Sequence, residues 1–274
     1  MMPKPRRSRA FRLTISLVII YLMGATVLYF FQEKFLFHPQ PVDRSQSYRF
    51  DVPFEELDIP FSSTDTLNLI RFFADTQVIR RGVVLYFHGN QKNVVRYARY
   101  AKNFTRNGYE VWMPDYPGFG KSTGVLTEKK LYRMAEQLHL LAVQRYGPDS
   151  IVVYGKSLGT GTAAYLASVK KVKLLLLETP YCSIPDLLSH FAPVYPCRLL
   201  SKYAFPVRDF LAETGCPVVL FHGTEDGVVP YAQSRKLVQA FKPSVRLITL
   251  EGGSHNNLND FPLYHRVLDT LLGK

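Results

Sequence analysis

Residues 151–164 read I-V-V-Y-G-K-S-L-G-T-G-T-A-A, and no other stretch limits the choice of folds so strongly. Ile151, Val152, Val153 and Tyr154 are β-branched or aromatic, as expected of a short buried strand. The chain then turns on Gly155 and Gly159 with Ser157 at the apex, and Ala163, Ala164, Leu166 and Ala167 predict a helix after it. A serine at such an apex sits in a strained backbone, so the residues two positions either side must lack bulk. The helix that starts there points free N–H groups and the positive end of its dipole at the serine. Neither G-x-x-x-x-G-K-[ST] nor G-x-G-x-x-G reads across the stretch, which argues against a phosphate-binding loop.

The rest of the chain supplies the setting for such a turn. Residues 55–61 and 66–73 alternate like two strands of a hairpin, with Thr64 and Asp65 in its turn. Residues 83–87 are all strand formers, as a central strand covered on both faces requires. A helix is predicted over 94–104, closed by Asn107-Gly108, then a short strand over 111–113 and a turn-rich loop over 114–120. A helix over 126–146, ended by Gly147-Pro148, leads into the central turn. Strands over 173–178, 218–221 and 245–250 and helices over 232–241 and 261–272 complete the pattern. Strands alternating with helices after an initial hairpin imply an α/β fold, a mostly parallel sheet with helices on both faces. A chain of 274 residues holds one such domain of usual size.

The N-terminus reads differently. Residues 13–31 carry no charge and reach about 28 Å as a helix, close to the ~30 Å hydrocarbon core of a bilayer. Their exit, Val27-Leu28-Tyr29-Phe30-Phe31, is bulky and aromatic, unlike the small-residue cleavage site of a signal peptide. A signal anchor is expected: a basic tail over 1–12, a transmembrane helix over 13–31, a connector over 32–54 and the α/β domain over 55–274. Lys4, Arg6, Arg7, Arg9 and Arg12 precede the apolar run, which places the N-terminus in the cytoplasm and the domain across the membrane. The chain is basic, with 34 Lys and Arg against 22 Asp and Glu, a formal +12. No basic stripe interleaved with aromatics and no zinc spacing accompanies that charge, so a surface beside anionic lipid accounts for it better than nucleic acid. The three cysteines, Cys182, Cys197 and Cys216, form no C-x-x-C. They read either as buried thiols or, in an oxidising compartment, as a Cys182–Cys197 disulfide plus one free thiol.

A serine nucleophile needs a base and an acid that orients the base. The strand at 218–221 leads into H-G-T-E-D-G-V-V-P and the strand at 245–250 into E-G-G-S-H-N, which places Asp226 and His255 in successive loops after late strands. The order serine, acid, histidine is the one that accompanies a G-x-S-x-G nucleophile elbow. Ser157, His255 and Asp226 are therefore the expected nucleophile, base and orienting acid, with Glu225 and Glu178 as rival acids. Two backbone N–H groups should hold the developing negative charge, that of Leu158 after the nucleophile and that of Asn90 in the loop after residues 83–87. His88 and His222 each precede a glycine at the end of a buried strand and read as structural.

Taken together, H-G-N, D-Y-P-G-F-G-K-S-T-G, G-K-S-L-G, H-G-T-E-D-G-V-V-P and G-G-S-H-N-N resemble the membrane-anchored α/β-hydrolase-domain serine hydrolases, relatives of monoacylglycerol lipases and protein depalmitoylases. The resemblance runs from about residue 35 to the C-terminus and includes the anchor. It implies the α/β-hydrolase fold, with the family's triad on Ser157, Asp226 and His255. It also implies hydrolysis of an ester or thioester of an apolar, lipid-like acyl group, with no metal or organic cofactor. The same fold and triad serve serine aminopeptidase-like amide hydrolysis, and a silent membrane scaffold is a further alternative. The segment between Glu178 and Val218 is shorter than the lid of many lipases, and its apolar residues are expected either to cover the site or to press on the membrane.

Overall fold

The computed structural model describes residues 9–241 and 243–273; residues 1–8, with Lys4, Arg6 and Arg7 of the basic tail, lie outside them. Eight strands form one sheet: β1 (Phe54–Pro60), β2 (Thr66–Phe72), β3 (Gly82–Phe87), β4 (Tyr109–Pro114), β5 (Ile151–Lys156), β6 (Leu174–Glu178), β7 (Val218–Gly223) and β8 (Val245–Leu250). Their spatial order is β8-β7-β6-β5-β3-β4-β2-β1. β1 pairs antiparallel with β2 and β2 antiparallel with β4, while every other pair is parallel. The strands with the purest apolar runs, β3, β5 and β6, lie side by side at the centre, where both faces of each strand are covered.

Seven main helices surround the sheet: α1 (Arg9–Leu36), α2 (Glu128–Tyr146), α3 (Gly159–Val169), α4 (Ile184–Phe191), α5 (Val207–Glu213), α6 (Ala232–Phe241) and α7 (Pro262–Gly273). Side chains of β3 alternate between two cores. Val83, Leu85 and Phe87 share one with Met134 and Leu138 of α2 and Ala163 and Leu166 of α3. Val84 and Tyr86 share the other with Tyr97, Phe104 and the C-terminal Leu268 and Leu272. The period-two rule of a strand thus builds both halves of the interior from one segment.

Three local expectations change. The helix predicted over 94–104 is broken into Val94–Tyr97, a 3₁₀ turn at Ala98–Tyr100, and Lys102–Thr105. Tyr97 and Tyr100 are both buried, and a 3₁₀ turn brings residues three apart onto one face. The helix of 126–146 starts two residues late, where the Thr127 hydroxyl accepts a hydrogen bond from the Lys130 N–H at 3.2 Å. The disulfide alternative is not realised: Cys182 and Cys197 are free, their thiols turned to the carbonyls of Gln233 and Ala192.

α1 is long and apolar enough to cross a membrane and continues past the charge-free run to Leu36. Partners on the segment between α4 and α5 explain the extra turn. Gln32, only 3% exposed, donates to the Leu200 carbonyl at 3.0 Å and accepts from the Lys202 N–H at 2.7 Å. The Tyr203 hydroxyl donates to Glu33 at 3.2 Å, and Phe37 meets the Tyr203 ring edge-on at 4.9 Å. Replacing the fully buried Leu177 of β6 by Ala should cost about 2–5 kcal/mol, read as a lower urea midpoint with an unchanged m-value.

Candidate active site

Ser157 follows β5 directly, at φ 50°, a conformation that a side-chain-bearing residue adopts at a cost of about 1–3 kcal/mol. Its surroundings hold it there. The Ser157 N–H donates to the Glu178 carbonyl at 2.8 Å, and the Ser157 carbonyl accepts from the Thr160 N–H at 2.9 Å and the Thr160 hydroxyl at 2.6 Å. The glycines on either side are steric necessities. A Cβ on Gly155 would lie 2.6 Å from the Gly159 carbonyl oxygen, and one on Gly159 would lie 2.1 Å from that of Phe87. α3 therefore starts tight against the end of β3 and its following loop.

The sheet brings the two late loops to the same end as Ser157, since β7 and β8, which they follow, run parallel to β5 through β6. His255 Nε2 lies 3.0 Å from Ser157 Oγ, and His255 Nδ1 lies 2.8 Å from Asp226 Oδ2. Nδ1 must donate to the carboxylate, so Nε2 is left to accept the serine proton. Asp226 Oδ1 accepts from the Val228 and Val229 N–H groups, both at 2.8 Å. His222 adds a further contact at 3.2 Å from Oδ2. Its Nε2 also lies 2.9 Å from the Val229 carbonyl, which can only accept, so Nε2–H donates and Nδ1 accepts from the Ser234 hydroxyl at 2.7 Å. Burial alone would raise the Asp226 pKa; hydrogen bonds from His222 and His255, the His255 charge and the Val229 N–H outweigh it and hold the carboxyl well below its usual range.

Both rival acids are engaged or turned elsewhere. Glu178, fully buried, takes Lys156 on one oxygen and the hydroxyls of Tyr154 and Tyr264 on the other. Burial, with the charge of Glu178, pushes both phenols well above their ordinary pKa, so they remain donors. Glu225 is exposed and makes no ion pair among the described residues. Lys156, which sequence reasoning passed over, is only 3% exposed and also donates to the His255 carbonyl at 3.2 Å. Its signal was a lysine closing an otherwise apolar buried strand, a place where an unpaired charge is untenable. The Lys156–Glu178 pair ties the histidine loop to the strand that carries the nucleophile.

The two expected donors for a developing anion differ in setting. Among the described residues neither the Leu158 nor the Asn90 N–H has a hydrogen-bond acceptor. Leu158 is fixed by the elbow. Asn90 is fixed from the other side of the molecule: its side chain donates to the Leu36 carbonyl at 2.9 Å and its own carbonyl accepts from the His38 N–H at 2.9 Å. His38–Pro39 then pairs in parallel with Gln91–Lys92, so the chain leaving α1 lies along this loop. His88, buried and stacked on Tyr116 at 4.1 Å, packs beneath the loop and has no contact with the triad among the described residues.

Comparison with known proteins bears on the fold. Residues 82–183 match a family model described as the alpha/beta hydrolase fold. Alpha/beta hydrolase domain-containing protein 17C of Xenopus tropicalis is 30% identical over 196 residues, 70% of this chain and 60% of that protein. Protein 17B of Homo sapiens is 30% identical over 193 residues, 69% of this chain and 64% of that protein. The match thus spans less than two thirds of these relatives. An esterase of Pyrococcus furiosus superposes with a TM-score of 0.67 at 19% identity, covering 86% of this chain and 97% of the esterase. Est1E of Butyrivibrio proteoclasticus, solved with ferulic acid bound, superposes at 0.63 with 20% identity, covering 77% and 94%.

The Asp226 environment makes a stability prediction. A carboxyl whose folded pKa lies below its unfolded value, near 3.8, stabilises the fold above that value and loses the contribution as pH falls toward the folded pKa. The stability difference between wild type and Asp226→Asn should shrink progressively as pH falls below about 4. Urea midpoints measured along that series check it; a difference independent of pH down to about 2 would contradict a depressed carboxyl.

Proposed function

We propose that the chain, which has the α/β-hydrolase fold, is a membrane-anchored serine hydrolase cleaving carboxylic ester or thioester bonds of apolar acyl substrates. The observation that carries the reading is the continuous line Ser157–His255–Asp226, with contacts of 3.0 and 2.8 Å, on a serine held at φ 50°. In this mechanism Ser157 Oγ bonds to the acyl carbon while its proton passes to His255 Nε2. Asp226, kept ionised by its donors, stabilises the imidazolium that forms. The Leu158 and Asn90 N–H groups receive the negative charge on the carbonyl oxygen. His255 then gives its proton to the departing alcohol or thiol, and the same base activates the water that releases the acyl group from Ser157.

The membrane part of the proposal rests on α1, whose central side chains are exposed and apolar, and on the basic residues before it. The positive-inside rule puts the N-terminus in the cytoplasm and the catalytic domain on the other side.

Ser157→Ala should abolish turnover of p-nitrophenyl esters and labelling by a fluorophosphonate, with the circular dichroism spectrum unchanged. Asp226→Asn should slow turnover on the order of thousands of fold, and Glu225→Gln should leave it near wild type. Substantial ester hydrolysis by folded Ser157→Ala would remove the mechanism. Aminoacyl amides turned over faster than esters would favour an amide hydrolase instead.

Two truncations separate the anchor from the strand after it. A chain lacking residues 1–31 keeps Gln32 and the His38–Pro39 ladder, so its kcat on short-chain p-nitrophenyl esters should be unchanged while its rate on vesicle-borne esters falls. A chain lacking residues 1–40 loses the ladder and the Leu36 contact that hold Asn90. Its kcat on both kinds of ester should drop; equal kcat for the two truncations would remove Asn90 from the anion site.

A further inference from the structure

The segment between α4 (Ile184–Phe191) and α5 (Val207–Glu213) does not stop at the domain's edge; it climbs the anchor helix. The Tyr21 hydroxyl donates to the Val194 carbonyl at 3.2 Å, and the Tyr21 ring stacks on Tyr195 with centroids 4.8 Å apart and planes 16° from parallel. The contact is made at the middle of α1, while Gln32 and Glu33 near its end hold Leu200, Lys202 and Tyr203. The charge-free run of α1 ends at Phe31, so Tyr21 lies about 15 Å along the axis inside it. That is roughly half the ~30 Å hydrocarbon thickness.

The composition of the climbing segment fits that depth. Residues 191–200 read F-A-P-V-Y-P-C-R-L-L, with no acidic residue and one basic one. Phe191 is 58% exposed, Val194 70% and Leu199 82%, while α1 offers its own uncovered apolar side chains alongside. A cluster of this size on a water-facing surface is unfavourable and marks a contact site. Arg198, its side chain 83% exposed, is long enough to return its charge to the headgroup level. Backbone out of regular structure is tolerated at membrane depth when it is packed on protein, and here α1 supplies the packing.

We propose that residues 191–200 are a membrane-inserted cap, sunk beside α1 into the leaflet that faces the catalytic domain, and that the partner of this surface is the bilayer's hydrocarbon. The inference rests on the reading of α1 as a membrane anchor. It deepens that reading by specifying the side from which an acyl chain arrives. The chain on either side of the cap reaches the nucleophile's helix: after it Phe205 packs on Gly161, and before it the Tyr181 hydroxyl donates to the Leu158 carbonyl at 3.2 Å. An acyl chain leaving the bilayer along the cap would therefore meet protein continuous with the elbow, without crossing water.

The test uses the full chain in phosphatidylcholine vesicles, with an NBD fluorophore on single cysteines in a Cys216→Ser background, the other two thiols being buried. Labels replace Val194, Leu199, Leu17 in the middle of α1, and Ile79 at the opposite end of β3. Lipids carrying a nitroxide on the acyl chain should quench Val194 and Leu17 more than lipids carrying it on the headgroup. Leu199 should be quenched by both, and Ile79 by neither. Chain quenching at Leu17 without quenching at Val194 and Leu199 would overturn the inserted cap and leave the anchor standing. Absence of chain quenching at Leu17 would overturn both together. Val194→Asp supplies the functional arm: it should lose most of the rate on vesicle-borne esters while keeping its kcat on soluble p-nitrophenyl esters. Unchanged rates on both would count against entry along the cap.

Discussion

The start of α3 passes so close to the end of β3 that no side chain fits at Gly159, and the geometry around Ser157 depends on that approach. Phe87 and His88 present carbonyl oxygens within 2.6 Å of where a Cβ would stand. The tight passage forces Ser157 into a left-handed conformation and turns its hydroxyl out of the sheet. A strained serine persists only where its neighbours over-determine it. Here Glu178 of the next strand and Thr160 of the following turn fix both its N–H and its carbonyl. The same approach sets the end of β3 and His88 against the start of α3.

Two buried acids lie within this architecture, and their surroundings give them separate tasks. Asp226 receives hydrogen bonds from two backbone N–H groups and lies between two histidines, so it stays ionised and orients His255. Glu178 is matched by a lysine and two tyrosines, and its charge is spent within the core. A buried ion pair of this kind is weak evidence of net stability, because desolvation offsets the attraction. Its structural consequence is clearer: Lys156 reaches both Glu178 and the His255 carbonyl, and so links the ends of β5 and β6 to the His255 loop.

The N-terminal helix is coupled to this site by short-range contacts at two places. Its last residues hold the Asn90 loop through the Leu36 carbonyl and the His38–Pro39 ladder. Its middle and end hold the segment between α4 and α5 through Tyr21, Gln32 and Glu33. A helix that served only as a tether would need neither set. The contacts make the N-terminal helix part of the domain's packing.

The amino-acid sequence alone determined the features that local periodicity and order along the chain encode. Pure strand formers at 83–87 and 151–154 mark the centre of the sheet, glycines around Ser157 mark the elbow, and a charge-free run marks the long helix. The expected triad residues could be ordered because each comes directly after a recognisable strand, and the structure brings Ser157, Asp226 and His255 within hydrogen-bonding distance. Tertiary structure decided the features that depend on distant partners. Lys156 is not singled out in the sequence, and Glu178 reads as a rival acid, until burial pairs them. The 94–105 segment breaks where Tyr97 and Tyr100 must both face the core. α1 outlasts its apolar run because Gln32 finds Leu200 and Lys202, far away in sequence, and no periodicity within α1 encodes that meeting.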